Sequence, residues 1–247
     1  MSATATTTPA ATWRTAYRSF YYETIPADAL PDIRLPAAET ALLLIDIQHG
    51  FYDPAPPLPD GTDASLREYR RWAPFRERMA NTVLPNVRRL LARFRATPAT
   101  ARNIIHIHIA SLTADGRDRS LSHTRPGFNN IHFPPKDAGA GFLPDAAPQS
   151  DEIVLSKTTD SAITGTVLRL VLANLRVRNV IVVGILTDQC VSSTVRSLAD
   201  ESFNVVLVDD ACAAATDELH RHELTIINNL YCQVLTATEA LATLVEN

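Results

Sequence analysis

Cysteine is scarce: three residues in a chain of 247, an odd number and too few to staple a fold of this size. That excludes a disulfide framework and points to a reducing, cytoplasmic setting. Lysine is scarcer still, Lys136 and Lys157 alone, against many arginines. The net charge of −4 gives no footing for nucleic acid or an anionic membrane surface, so neither is expected as a partner. No apolar run reaches the 18 or so residues of a membrane-spanning helix. No G-x-G-x-x-G follows the first strand-like run, where the chain reads DIQHGFYD, and a dinucleotide-binding oxidoreductase is thereby excluded. Internal repeats and Gly/Ser linkers are also missing. What is present is an ordinary globular composition, 46% hydrophobic and 20% charged, in a chain that can bury roughly 70–75% of its unfolded surface unaided.

Short apolar runs alternate with longer stretches of helical period. Strands are predicted at Thr40–Asp46, Asn103–Ala110, Glu152–Leu155, Asn179–Ile185, Asn204–Val208 and Cys232–Leu235. Helices are predicted over Leu66–Arg95 with an interruption at Pro85, and over Asp160–Arg176, Asp188–Ser202, Glu218–Leu230 and Thr238–Val245. That alternation means βαβ units and a parallel sheet, an α/β fold. One domain is expected over residues 36–247, preceded by an N-terminal arm, residues 1–35. The first twenty residues, rich in Ala and Thr and free of acids, faintly resemble a transit peptide but read better as a flexible arm. Trp13, Tyr17 and Phe20 or Tyr21 recur in it at helical spacing, as an aromatic stripe would. Thr113–Gln149, polar and rich in Pro and Gly, is long enough to be a lid or a subunit contact.

Open parallel sheets bind ligands at the carboxyl ends of their strands. Asp46 closes the first strand, Lys157 follows the third, and Cys190 follows the fourth at the start of a helix. A helix start and a nearby ammonium both favour a thiolate, so a lowered pKa is expected for Cys190. Cys212 and Cys232, set among Ala, Val and Leu, read as small buried apolar residues. Asp46 suits a general base, though a solvated strand-end acid or a helix cap reads equally well from the residues alone. His106 and His108 share one face of a strand and read as structural rather than as metal ligands.

Three motifs then carry a resemblance: D-x-Q-x-x-F at Asp46, Gln48 and Phe51; S-K at Ser156 and Lys157; and V-V-G-x-x-T-D-x-C-V from Val182 to Val191. In order and spacing, over roughly residues 38–245, the chain resembles the isochorismatase-like cysteine hydrolase superfamily. The resemblance implies a three-layer α/β/α sandwich around a largely parallel sheet of about six strands. It implies Asp46, Lys157 and Cys190 as the catalytic set, a cis peptide at Ile185–Leu186, and an oxyanion hole from the backbone N–H groups of Leu186 and Cys190. The implied activity is hydrolysis of a small linear amide or ureide through a cysteine thioester, without a cofactor. A vinyl ether hydrolase and a non-catalytic scaffold of the same fold are the alternatives. Gln48, Phe51, Tyr52, Asn129 and Thr187 are the expected substrate contacts, joined by His49 and by Arg125, Phe128 and Asn130 of the long loop. Relatives that bind a metal through an Asp-x-His pair have no counterpart here, since Asp53 and Asp60 lie in a loop without histidines, and no metal is expected. The resemblance further implies a homo-oligomer, a dimer or tetramer.

Overall fold

The computed structural model of the protein describes residues 12–52 and 63–246. Its strands are β1 (Leu35–Pro36), β2 (Thr40–Ile45), β3 (Ile104–Ile109), β4 (Ile153–Lys157), β5 (Asn179–Ile185), β6 (Asn204–Ala213), β7 (Gln233–Leu235) and β8 (Leu244–Val245). β2 to β7 form one parallel sheet in the order β4-β3-β2-β5-β6-β7, and β1 pairs with β8 apart from it. The chain winds outward from β2 to β4, returns to β5 beside β2, and winds outward again. The crevice between the ends of β2 and β5 is therefore the switch point of the sheet.

Every residue of β2 and β5 is buried, as their unbroken apolar runs require of strands covered on both faces. On one face Leu42, Leu44, Ile181 and Val183 pack with Val87, Leu90 and Phe94 of the helix Leu84–Ala96 and with Ala237 and Ala240 of the helix Ala237–Thr243. On the other, Leu43, Ile45, Val180 and Val182 meet the helices Leu168–Asn174, Ser192–Asp200 and Asp217–Ile227. The result is a three-layer α/β/α sandwich around a six-stranded parallel sheet. At the edge, β4 alternates between partly buried and exposed residues until Lys157 turns inward.

Four expectations need adjustment. The helix predicted from Asp160 starts only at Leu168, because hydroxyls capture the backbone ahead of it. Thr159 Oγ1 donates to the carbonyls of Ser161 and Thr164, and Thr166 Oγ1 donates to that of Ala162. β6 runs on to Ala213, past its expected end at Val208. The aromatic residues of the arm form no helical stripe: among the described residues Trp13 alone of them sits in a helical turn, the short 3-10 turn Thr12–Arg14. Trp13 is buried and Tyr17 donates to the Asp209 carboxylate at 2.6 Å, while Phe20 and Tyr21 are exposed. The break predicted at Pro85 falls instead at Trp72, between the helices Asp63–Arg71 and Ala73–Arg78; from there a π turn at Met79–Val83 runs straight into the helix Leu84–Ala96, which holds the proline in its first turn. The leader-like composition of residues 1–11 lies outside the described residues, as do Asp53 and Asp60.

The long segment 113–149 runs as turns, and its backbone is tied to the chain after β2. His49 N–H donates to Gly141, Gly50 N–H to Gly139, and Leu143 N–H to Ile47, each at 2.9–3.0 Å.

Gly184 fixes how closely β5 approaches β2 at the switch point. Its φ is +125°, and a Cβ there would stand 2.1 Å from the carbonyl oxygen of Ile45. Gly184→Ala is expected to cost about 3 kcal/mol through backbone strain and steric overlap. Chemical denaturation checks this, and a shift below about 1 kcal/mol contradicts the tight approach.

Candidate active site

At the end of β2 the chain turns sharply. Asp46 adopts φ +53°, and Gln48 N–H donates back to its carbonyl at 2.8 Å. Aspartate is among the few residues that accept this left-handed conformation, and functional sites are where such outliers cluster. Lys157, the last residue of β4, reaches past the end of β3 with its four-carbon stem. Its Nζ lies 2.7 Å from Asp46 Oδ2 and 3.2 Å from Cys190 Sγ, and donates to the Thr159 carbonyl at 2.9 Å. Asp46 is 1% exposed, Lys157 2% and Cys190 5%. The three residues flagged at strand ends thus meet in one buried cluster.

Cys190 lies in a π turn, Thr187–Val191, that leads into the helix Ser192–Asp200. The Ile185–Leu186 peptide before it is cis. The thiol is not poised as expected: burial, then the Asp46 charge, push its pKa well above the ordinary value against the pull of Lys157. Desolvation at this depth outweighs both the helix start and the ammonium. Burial likewise raises the Asp46 carboxyl, with Lys157 opposing. Lys157 moves up despite its burial, because the Asp46 and Cys190 charges hold its proton.

Above the sulfur is a chamber of only about 10 Å³, the room of one water. Asp46, Leu186, Gln189 and Cys190 line it, with Phe51, Phe128, Ile131 and Ile185 as its apolar wall. Of the expected substrate contacts, only Phe51 and Phe128 are on this wall. Gln48 is fully buried and spends its amide on the backbone: Nε2 donates to Ile109 and Gly139, and Oε1 accepts from Ile109 N–H. Tyr52 packs on Phe75 instead. Thr187 is buried behind the turn, its Oγ1 2.7 Å from His220 Nδ1. Asn129 stands off the wall, and His49, Arg125 and Asn130 are exposed. From the long loop Phe128 does reach the chamber, stacked on Trp72, together with Ile131, which the sequence did not single out.

One further residue stands by the sulfur without a sequence signal, Asp160, whose Oδ1 is 3.7 Å from Sγ, and His123 bonds that same oxygen. Asp160 was hidden at the start of an expected helix and His123 in a long loop. His106 and His108 are otherwise engaged. His106 Nε2 bonds Glu152 at 2.8 Å, while the nitrogens of His108 bond the Ala140 carbonyl and the Ser156 hydroxyl. Among the described residues no group of three or more His, Cys, Asp or Glu is placed to hold a metal, and no helix is long and apolar enough to cross a membrane.

Fold and site together define a class: a doubly wound α/β hydrolase with a buried Cys–Asp–Lys cluster at its switch point. The chain belongs to the isochorismatase family, whose domain model matches residues 40–239. It is 26% identical over 211 residues to the uncharacterized isochorismatase family protein YddQ of Bacillus subtilis, covering 81% of this chain and 97% of that protein. It is 25% identical over 215 residues to the ureidoacrylate amidohydrolase RutB of Acinetobacter baylyi, covering 81% of each. Among solved structures, a cysteine hydrolase from Pseudomonas syringae pv. phaseolicola superposes with a TM-score of 0.67 at 23% identity, over 87% of this chain and 97% of that one. N-carbamoylsarcosine amidase from Thermoplasma acidophilum superposes at 0.58 and 19% identity, over 81% and 96%.

Lys157→Met leaves the Asp46 charge buried without its partner. Stability is expected to fall by about 3–5 kcal/mol at neutral pH, as when one member of a buried pair is removed. Burial raises the folded-state pKa of Asp46, so the loss fades as pH falls through that raised value and is gone below the ordinary carboxylate range, where Asp46 is protonated in the folded and unfolded chain alike. Denaturation across that range checks both size and slope. Glu152 offers a second titration. Burial opposes its charge, yet hydrogen bonds from Arg95, Gln149 N–H and His106 bring its pKa down to about 2 from 4.5. Its contribution is present above about pH 4.5 and is lost as pH falls toward about 2. Glu152→Gln is expected to cost about 2 kcal/mol at pH 7, allowing for solvent screening, and progressively less below pH 4.

Proposed function

We propose that the protein is an amidohydrolase that cleaves a C–N bond of a small linear amide or ureide through a Cys190 thioester. One observation carries the reading: a single ammonium, that of Lys157, lies 2.7 Å from the Asp46 carboxylate and 3.2 Å from the Cys190 sulfur at the switch point of the sheet. Because the resting thiol is held protonated, the nucleophile forms only as its proton leaves for Asp46, whose own pKa burial has raised toward the range a general base needs. Lys157 balances the negative charge wherever it sits in the cluster. The sulfur attacks the carbonyl carbon, and the backbone N–H groups of Leu186 and Cys190 receive the developing oxyanion; such a donor is worth roughly 2.7–4 kcal/mol. Asp46 returns the proton to the leaving nitrogen, which departs as ammonia or an amine, leaving the acyl group on sulfur. Water, giving its proton to Asp46, then frees the acid and restores the thiol.

Two relatives support amide chemistry: RutB, named for ureidoacrylate, in sequence, and a fold shared with an amidase of N-carbamoylsarcosine. The retained thiol supports it over vinyl ether hydrolysis, which has no need of a nucleophilic sulfur. Three unpaired cysteines suit the cytoplasm.

Cys190→Ala and Cys190→Ser are expected to lower turnover of the best substrate from a panel of carbamoyl compounds, ureides and simple amides by about 10³-fold or more. Ammonia release measures the rate, and the melting temperature is expected to hold within a few degrees. An alanine variant with full activity would remove covalent catalysis from the reading.

A further inference from the structure

The mechanism above uses one carboxylate, yet a second stands beside the sulfur. Asp160 Oδ1 lies 3.7 Å from Cys190 Sγ and 3.0 Å from His123 Nε2. A carboxylate oxygen only accepts, so the imidazole donates from Nε2. His123 is fully buried, and its Nδ1 has no partner, so this bond to Asp160 is the one its ring makes. That hydrogen bond holds the Asp160 carboxyl below the usual range, outweighing its partial burial.

For making a thiolate this arrangement is counterproductive, because a second anion near the sulfur adds to what keeps the thiol protonated. The charge of Asp46 is matched by Lys157, whereas among the described residues no Lys or Arg forms an ion pair with Asp160. None of the residues lining the chamber is Lys or Arg either; Asp160 stands next to the sulfur and not on the chamber wall. An anionic substrate would meet a second carboxylate, whose partners are the His123 imidazole and, at longer range, the Lys157 ammonium already paired with Asp46. A substrate with N–H donors or positive charge would complete the set.

We propose that Asp160, oriented by His123, is a specificity residue. It takes the N–H donors of a neutral or cationic ureido- or amidino-type substituent next to the scissile carbon and disfavours a substrate with a carboxylate at that place. The inference rests on the amidohydrolase reading and deepens it to a substrate class.

The test reads Cys190 directly, on the intact chain, by alkylation with three reagents of similar size. These are 2-chloroacetamidine (cationic), 2-chloroacetamide (neutral) and chloroacetate (anionic), each rate followed by peptide mass spectrometry and divided by that of glutathione at the same pH. The expected order is cation, neutral, anion, with the first at least about tenfold above the last, the scale of one screened charge pair. Asp160→Asn is expected to compress that ratio to below about threefold and Asp160→Glu to keep most of it. A merely structural role for Asp160 would slow all three reagents alike. Chloroacetate reacting fastest overturns the inference, and loss of that preference in Arg125→Ala would reassign the site to a carboxylate-bearing substrate. An unchanged ratio in Asp160→Asn overturns it as well. Should the variant not fold, the order in the unaltered protein still decides. Failure of every reagent to label Cys190 sinks the nucleophile reading and this inference with it, whereas labelling in the wrong order sinks the inference alone.

Discussion

The buried ion pair between Asp46 and Lys157 is the constraint on which the site depends. Two charges taken almost wholly out of water cost several kcal/mol each, and their attraction repays this only in good geometry with the remaining donors satisfied. The fold supplies that geometry. A left-handed turn at Asp46 places the carboxylate at the end of β2, and the lysine stem spans the end of β3 from β4. The Thr159 carbonyl takes a further N–H of the ammonium, and the thiol lies within its reach. An arginine is no substitute: its planar fork is too wide for a cluster this closed, and it does not present one compact charge to two partners at once. In a chain with only two lysines, one of them sits here.

The turn that carries Cys190 is held from behind by a second polar network. Thr187 meets His220, and the far side of that imidazole lies 2.8 Å from Asp209. Asp209 also accepts from Arg78 and from Tyr17 of the arm. Arg78 Nε continues to the Cys212 carbonyl on β6. Burial lowers the pKa of His220 despite the neighbouring carboxylate, which favours a neutral ring that can bond on both sides. The arm is thereby part of the sandwich: a residue 173 positions before Cys190 in the chain shares a hydrogen-bonded network with its turn. Buried networks of this kind are costly when incomplete, and completeness is what makes them specify one conformation.

How much of this was legible in the sequence follows from how local each cause is. β2 and β5 were readable because strands covered on both faces leave unbroken apolar runs, and Asp46 and Cys190 because a polar residue ending such a run is conspicuous. Gln48 was misread for the same reason. Polarity next to a strand end looks like recognition, yet its amide is spent closing backbone donors and acceptors between β3 and the loop. Asp160 and His123 meet across 37 residues that take in most of the long loop and β4, so no spacing rule brings them together. The direction of the Cys190 shift was also beyond reach, since the helix start and Lys157 are visible in the sequence and the depth of burial is not.

Closure explains why depth matters so much. Phe128 stacks on Trp72, Phe51 meets Phe133 edge-on, and the space left over the sulfur holds one water at most. In that state the thiol is desolvated and keeps its proton, so it is shielded from adventitious oxidation as well as from solvent. Any molecule larger than water must displace the Phe128 side of the wall to reach the sulfur, since β2, β5 and the Cys190 turn form the opposite side and are locked in the sheet. Phe128 is half exposed on the long loop and rests on a single ring, whereas Ile185 and Leu186 are fixed by β5 and the turn. The rigid half of the chamber therefore carries the charged cluster, and the yielding half carries only apolar contacts that re-form at little cost once an occupant is in place.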